Sequence, residues 1–300
     1  MRPDLKTSSA GLPDWNGALL ENAEALKAAV IQVAFATGIQ ERELEKQLLL
    51  HLPRFTPGEL AKPGCIRAEA ERLAGRWRQL RAPFGRWADQ PRIVGFDKSA
   101  LKAASCDHQL ARVIHERFHY LGSFRAGHHL ALFAAEPAGV PMALVTVSPM
   151  DISHLRPLFP AKSDRSKVRV VSRLFAFDWA PRNSVSYLLG QAAKWVRDGW
   201  PEVETLLTYI NPNLGFTGAS YEAANWADFI GVPAKYAYLD GNYITFRKLK
   251  SLSSHRRQEA RYSQYELAPL KIFRYQIRPR ARVHREVIRA RTIQIPTEAR

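Results

Sequence analysis

The sequence is short of cysteine, of acidic charge and of long apolar runs. Its 300 residues include two cysteines, Cys65 and Cys106. They lie far apart and in no Cys-x-x-Cys or Cys/His pattern, which argues against a disulfide framework or a structural zinc knot. The longest apolar stretches, Leu130 to Ala135 and Met142 to Val147, fall well short of the roughly 18 residues that a spanning helix needs. No signal-peptide apolar core opens the chain, so a cytoplasmic protein with no membrane partner is expected. Acidic residues number 28 against 44 lysines and arginines, a formal net charge of +16. Such an excess attracts phosphate polyanions; the plainer reading is a basic enzyme whose charge serves solubility. The chain does have 46% hydrophobic and 10% aromatic residues, enough to bury a core and to exclude disorder throughout.

Residues 16 to about 38 repeat Leu19, Leu20, Ala23, Leu26, Ala29, Val30 and Val33 at helical spacing, and Gly38 follows as a stop. Residues 40–50 and 65–80 continue the helical pattern, the second through Ile66, Ala70, Leu73 and Trp77. Between them Thr56-Pro57-Gly58-Glu59 reads as an N-cap with proline at the first helical position. This helical region, 1–88, suits DNA contact, dimerisation and simple packing equally. The proline- and glycine-bearing stretch 82–91 marks a boundary.

After it, 110–119 reads as a helix, 129–135 and 140–148 as a hairpin around Pro137-Ala138-Gly139, and 168–176 as a third strand. A turn at 178–183 opens a helix from 184 to about 196; a strand at 204–210, a helix at 218–229 and short strands at 235–239 and 243–246 follow. Residues 89–250 are therefore expected to form an α/β domain. Its sheet is antiparallel early and parallel around the third and fourth strands, with flanking helices. That is the layout of the GNAT acyltransferase fold, where a splayed pair of parallel strands admits the donor. Residues 251–300 form a basic extension with Arg256, Arg257, Lys271, Arg274 and a run from Arg278 through Arg291, interleaved with Tyr262, Tyr265, Phe273 and Tyr275. Cationic and stacking side chains together suit a flexible nucleic-acid arm; the alternative is a solvated tail.

Several residues could carry chemistry. His119 and Tyr120 end a helix and can both move protons. Arg173 stands among Val171, Leu174 and Phe175, where a guanidinium needs an anion or a carboxylate such as Asp178 or Asp240. Arg182, Asn183 and Ser184 occupy a strand-to-helix turn suited to a phosphate or carboxylate, with Ser186 in the next turn and capping as the alternative role. The stretch from Thr208 to Trp226 gathers Asn211, Asn213, Phe216, Tyr221, Asn225 and Trp226 where a parallel strand ends, which is where open α/β sheets place ligands. The glycine-rich pyrophosphate loop usual in the GNAT fold is replaced by Ala180-Pro181-Arg182-Asn183-Ser184, which argues against acetyl-CoA.

Together His119-Tyr120-Leu121-Gly122, Ser172-Arg173-Leu174, Asn183 with Ser186, Gly215 through Gly218 to Tyr221, Ala224-Asn225-Trp226 and Asp240-Gly241 resemble the Mom family of phage DNA-modification proteins. The resemblance spans roughly 107–246 and leaves the helical region outside. It implies addition of a carbamoylmethyl (acetamido) or related group to N6 of adenine in double-stranded DNA, in a bacterial host cell. By the same resemblance His119, Tyr120, Arg173, Ser186 and Tyr221 line the catalytic pocket. Asn211 stands where some members carry an acidic residue, which moves the expected base to Asp240. The base must be flipped out, with Tyr120, Phe216, Tyr221 and Trp226 as stacking candidates. Asn211, Asn213 and Asn225 have amides able to read an adenine edge. The donor is expected to be an acyl- or glycyl-type group on a small molecule or carrier. No ligand spacing demands a metal, and a homodimer is compatible with the chain. Two rival readings stand beside this one: a GNAT-type N-acyltransferase acting on a small amine, tRNA or protein, and a non-catalytic DNA-binding protein of a phage or mobile element.

Overall fold

A computed structural model describes residues 11–88, 90–134, 141–150, 155, 158, 159 and 161–277. In chain order the elements used below are α1 (Trp15–Glu21), α2 (Ala23–Thr37), α3 (Glu41–His51), α4 (Cys65–Arg81), β1 (Leu101–Ser105), α5 (His108–Val113), β2 (His128–Ala134), β3 (Pro141–Pro149), β4 (Val168–Ala176), α6 (Ser184–Gly199), β5 (Thr205–Ile210), α7 (Ala219–Glu222), β6 (Ala227–Val232), β7 (Ala237–Leu239), β8 (Asn242–Ile244), α8 (Phe246–Lys250), α9 (Ser254–Gln258), β9 (Arg261–Tyr262) and β10 (Leu270–Gln276). They gather into two compact units. The first takes the chain up to Pro83 with Pro212–Gly215 and Pro233–Pro269; the second takes Phe84–Asn211, Phe216–Val232 and the chain from Leu270.

In the first unit local signals set the helix ends. The Asp14 carboxylate accepts from Gly17 N–H at 2.8 Å, and Gly38 closes α2 in the left-handed region at φ 69°. Thr56 and Glu59 form a capping box ahead of Pro57. The 65–80 periodicity appears as α4, which buries Ile66, Ala70, Leu73, Ala74 and Trp77. The segment Pro233–Pro269, divided on the sequence between the α/β domain and the basic extension, packs with these helices. Tyr238 donates its hydroxyl to Leu50 O at 3.0 Å. His51 gives its Nδ1 proton to Gln47 O and accepts Tyr243 N–H at Nε2, and burial holds it neutral, down to about 4.

The second unit is the mixed α/β fold expected from the pattern. Its seven-stranded sheet has the order β1-β2-β3-β4-β5-β10-β6. Every pairing is antiparallel except β4 with β5, which run parallel. Strand β3 is buried along almost its whole length, as a central strand covered on both faces must be. Helix α6 lays Leu188, Leu189, Ala192 and Val196 into the main core with Leu132, Val145 and Leu206.

Two expectations are corrected here. Residues 218–229 are not one helix: α7 ends early, Asn225 turns left-handed at φ 63°, and Ala227–Val232 pairs with β10 as β6. The alternation that ends in Phe229, Ile230 and Val232 outweighs the helical spacing before it. Nor are Lys271 and Arg274 part of a free arm. Their strand β10 lies between β5 and β6 with Ile272 and Phe273 in the core, and Arg274 rests over the Phe229 ring. Tyr265 is buried against Trp15 in the first unit. The basic run from Arg278 and the hairpin turn at Pro137 to Gly139 lie outside the described residues.

Glu69 ties the first unit together. Its buried carboxylate takes a two-bond fork from Arg54, both bonds at 2.7 Å, and another from Arg72 at 2.7 and 2.8 Å. Burial alone pushes this carboxyl up, but the bonds from Arg72 and Arg54 outweigh it and hold it below the usual glutamate range. Its contribution is therefore present above that range and lost as pH falls through the lowered value. Glu69→Gln is expected to cost about 3 kcal/mol, the scale of breaking a buried ion pair on one side, read as a drop in the urea midpoint at pH 7.

Candidate active site

The parallel pairing of β4 and β5 runs from Val168 opposite Thr205 to Val171 opposite Thr208. Past that point β4 stays with β3, and β5 with β10. The Val171 carbonyl at the parting is taken by the Thr208 hydroxyl at 3.0 Å. That hydroxyl also lies 3.1 Å from the Tyr221 phenol. It carries one proton and the carbonyl has none to give, so Thr208 donates to Val171 and Tyr221 donates to Thr208. Tyr221 packs edge-on to Trp226 at 5.3 Å and near Phe273. Burial pushes its phenol well above the ordinary tyrosine range. Gly218 permits this approach: at φ 96° a Cβ would stand 2.7 Å from the Phe273 ring.

A single π-turn at Ile114–Phe118 extends α5, a distortion that re-aims side chains and is frequent at functional sites. His119 follows it, with its ring stacked on Tyr120 at 4.4 Å. Leu121 N–H donates to His119 Nδ1, so a neutral His119 carries its proton on Nε2. Tyr120 meets the Phe216 ring at 5.4 Å and is an electrostatic neighbour of Tyr221. Arg173 gives Nη1 to Ser172 O at 2.7 Å, and Nη2 to the Ser123 carbonyl and hydroxyl. Burial raises the Tyr120 phenol while the Arg173 cation opposes it. Arg173, Tyr120, Phe216 and Tyr221 are thus one cluster.

Behind it runs a polar chain that sequence reading missed. Arg125 N–H donates to His115 Nδ1, so the proton of neutral His115 sits on Nε2 and goes to Thr146 Oγ1 at 3.0 Å. Thr146 passes its own to His129 Nδ1 at 2.9 Å, and His129 Nε2 donates to exposed His108 at 3.0 Å. Burial, helped by Arg173 and His129, takes His115 down to about 3; burial, helped by His108 and His128, takes His129 to about 4. Thr146 inside the apolar run of β3, and His115 one turn before His119, were the available signals.

The other expected residues fall elsewhere. Ser184 and Ser186 spend their hydroxyls on Pro181 O and Asn183 O, and Asn183 starts α6 in the left-handed region beside exposed Arg182. Asn211 follows β5, partly buried, and Asn225 is exposed at its left-handed turn. Three corrections follow. Asn213 cannot read an adenine edge: its amide is clamped to Ala268 O and N at 2.8 and 2.9 Å in the first unit. Trp226 is 4% exposed and is a wall behind Tyr221, closed to a stacking base. Asp240 belongs to the first unit, where its carboxylate accepts from Arg256 at 2.7 Å. Among the described residues no group of three His, Cys, Asp or Glu side chains is gathered as a metal site.

The model of the Mom protein family matches residues 100–297, which include every member of this cluster. The chain belongs to the Mom protein family. The methylcarbamoylase Mom of Escherichia phage Mu is 30% identical over 165 residues. That match takes in 53% of this chain and 66% of the phage protein, just under two thirds of its length. Among solved structures, a spermidine N-acetyltransferase from Vibrio cholerae aligns with a TM-score of 0.35 at 8% identity, covering 60% of this chain and 96% of its own. An aminoglycoside N(6')-acetyltransferase from Legionella pneumophila aligns with a TM-score of 0.32 at 13% identity, covering 66% and 87%. No described helix of this Mom-family chain is long and apolar enough to cross a membrane.

Histidines that stay neutral inside the fold destabilise it once the unfolded chain can take up their protons. Below pH ~6.5 the unfolded state binds protons that native His115 and His129 refuse, so stability falls as pH drops from 7 to 5. The urea midpoint is expected to fall over that range while ring NMR shifts of both histidines stay those of the neutral form; protonated rings at pH 5 would contradict their burial.

Proposed function

We propose that this Mom-family chain is a DNA-modifying transferase. On this reading it adds a carbamoylmethyl (acetamido) or related acyl-type group to N6 of adenine in double-stranded DNA. The observation that carries the reading is the cluster of Arg173, Tyr120 and Tyr221 beside Phe216 within the family-matched residues. The phage Mu relative, by its name a methylcarbamoylase, supports a group of this kind.

An adenine N6 stacked in a duplex cannot reach phenols buried at the parting of two strands. The base is therefore flipped out, at a cost of a few kcal/mol, and the partly exposed rings of Tyr120 and Phe216 offer it π-faces. In the reaction the amine nitrogen gives its electron pair to the electrophilic carbon of the donor. The leaving group departs with its bonding pair and ends protonated, the proton it takes up balancing the one the amine gives up. Arg173 stabilises the negative charge that develops on the donor. Tyr221 is neutral because burial raises its phenol, so it is not a phenolate base; it serves that charge as a proton donor by turning its one proton away from the Thr208 hydroxyl. The donor is an acyl- or glycyl-type group on a small molecule or carrier. Arg182 and the first turn of α6 supply the positive end that an anionic part of it would seek.

The test is mass spectrometry of nucleosides from plasmid DNA of bacteria expressing the chain. A mass gain on deoxyadenosine and on no other nucleoside is expected. Unmodified deoxyadenosine beside soluble, folded protein, or a gain on another nucleoside, would overturn the reading.

A further inference from the structure

The first unit holds a charged surface that the transferase cluster does not use. On α4, Arg72 and Arg76 both donate to Asn242 Oδ1, and Arg72 also donates to Gly241 O at 3.1 Å. Asn242 gives its amide proton to Asp240 O at 2.9 Å, and the Asp240 carboxylate accepts from Arg256 of α9. Hydrogen bonds therefore run unbroken from α4 across the tight β7–β8 turn to α9. Along this line Arg72 is balanced by Glu69 and Arg256 by Asp240 and Glu259. Arg76 is not: its acceptor is a neutral amide, its charged neighbour is Arg72, and among the described residues no carboxylate pairs with it.

Next to this line, residues 245–262 carry six lysines and arginines against one acid, Glu259. Lys248, Lys250 and Arg257 are exposed and make no ion pair among the described residues. Their helices are short but anchored. Thr245 and Ser253 cap α8 and α9, and Leu249, Leu252 and Ala260 pack with Ala237 and Ile244. The cations thus project from a fixed scaffold, and the guanidinium forks among them match phosphate oxygens two at a time.

We propose that Arg76, Lys248 and Arg257, on the scaffold of α4, the β7–β8 turn and α8–α9, form a docking surface for the phosphate backbone of duplex DNA. The surface reads no bases; it holds the duplex by counterion release. The choice of DNA rests on the function proposed above, whereas the polyanion character rests on the charges themselves.

The test compares the full chain with the triple variant Arg76→Gln/Lys248→Gln/Arg257→Gln and with Arg67→Gln. Arg67 lies on α4 but is paired with Glu71. Binding to a fluorescent 20-base-pair duplex and to a 20-nucleotide single-stranded RNA is read by anisotropy across a salt series. Each lost phosphate contact lowers the slope of log affinity against log salt by about 0.9. The triple variant is therefore expected to lose roughly two to three units of slope on the duplex, with Arg67→Gln unchanged and both variants keeping the wild-type circular dichroism. An unchanged duplex slope in the folded triple variant overturns the proposal, as does a loss confined to RNA. Deoxyadenosine modification, measured in parallel, separates the two ideas. Modification by the wild-type chain with an unchanged slope in the triple variant removes the docking surface alone; a lost slope in the variant with no modification even by the wild-type chain removes the transferase reading alone.

Discussion

Val171 and Thr208 are the last residues that β4 and β5 pair in parallel, and a strand pair that parts leaves buried backbone groups to be satisfied. An orphaned buried carbonyl costs about 1–3 kcal/mol. The Thr208 side chain removes that cost by bonding Val171 O, and its spare lone pair then fixes the Tyr221 phenol. Tyr221 reaches this place because α7 begins at Gly218, whose missing side chain leaves room for Phe273. Phe273 comes from β10, the strand bonded to the far edge of β5. The site therefore depends on a strand from the chain's basic end as much as on the two strands that part.

The polarity of the second unit follows a single rule: charge is kept where it can act and removed where it would be costly. His115 and His129 lie buried and neutral, each satisfied by a defined donor and acceptor. Burial without ionisation is tolerable because every proton in the chain has an acceptor. Arg173 keeps its charge because carbonyl and hydroxyl oxygens of Ser172 and Ser123 hold it. Cys106, pushed up to about 12 by burial, is a thiol without a part in this chemistry. Arg182 and Lys271, by contrast, are exposed to water.

Much of this architecture is legible in the sequence because it is local. The α4 stripe, the capping box at Thr56, the Gly38 stop and the strand 168–176 are each written within a dozen residues. Strand β10 was hidden because alternating Lys271, Ile272, Phe273 and Arg274 looks the same as a basic aromatic arm until partners on both sides are known. The segment after Tyr221 misled for the opposite reason, since helical spacing continued past a left-handed Asn225. Within the site, Arg173 is legible as a cation among apolar neighbours, Tyr120 as a polar ring at a helix end, and Tyr221 by its place just past the end of a parallel strand. Asn213 looked similar and proved to be a backbone clamp, because an amide that reads a base edge equally well reads a peptide. The histidine chain could not be found without the β2–β3 register, which sets His129 opposite Thr146.

The central claim is that the Tyr221 hydroxyl works at the reacting atoms and is not needed to hold the fold. Removing it leaves Thr208 still donating to Val171, so the strands should part as before. The decisive measurement is the fraction of modified deoxyadenosine in DNA from cells expressing Tyr221→Phe at wild-type protein level. The account predicts a fall of about a hundredfold or more, the scale of a lost proton donor, with the variant's thermal midpoint lowered by no more than a few degrees, the scale of one lost hydrogen bond. Modification at the wild-type level would contradict it.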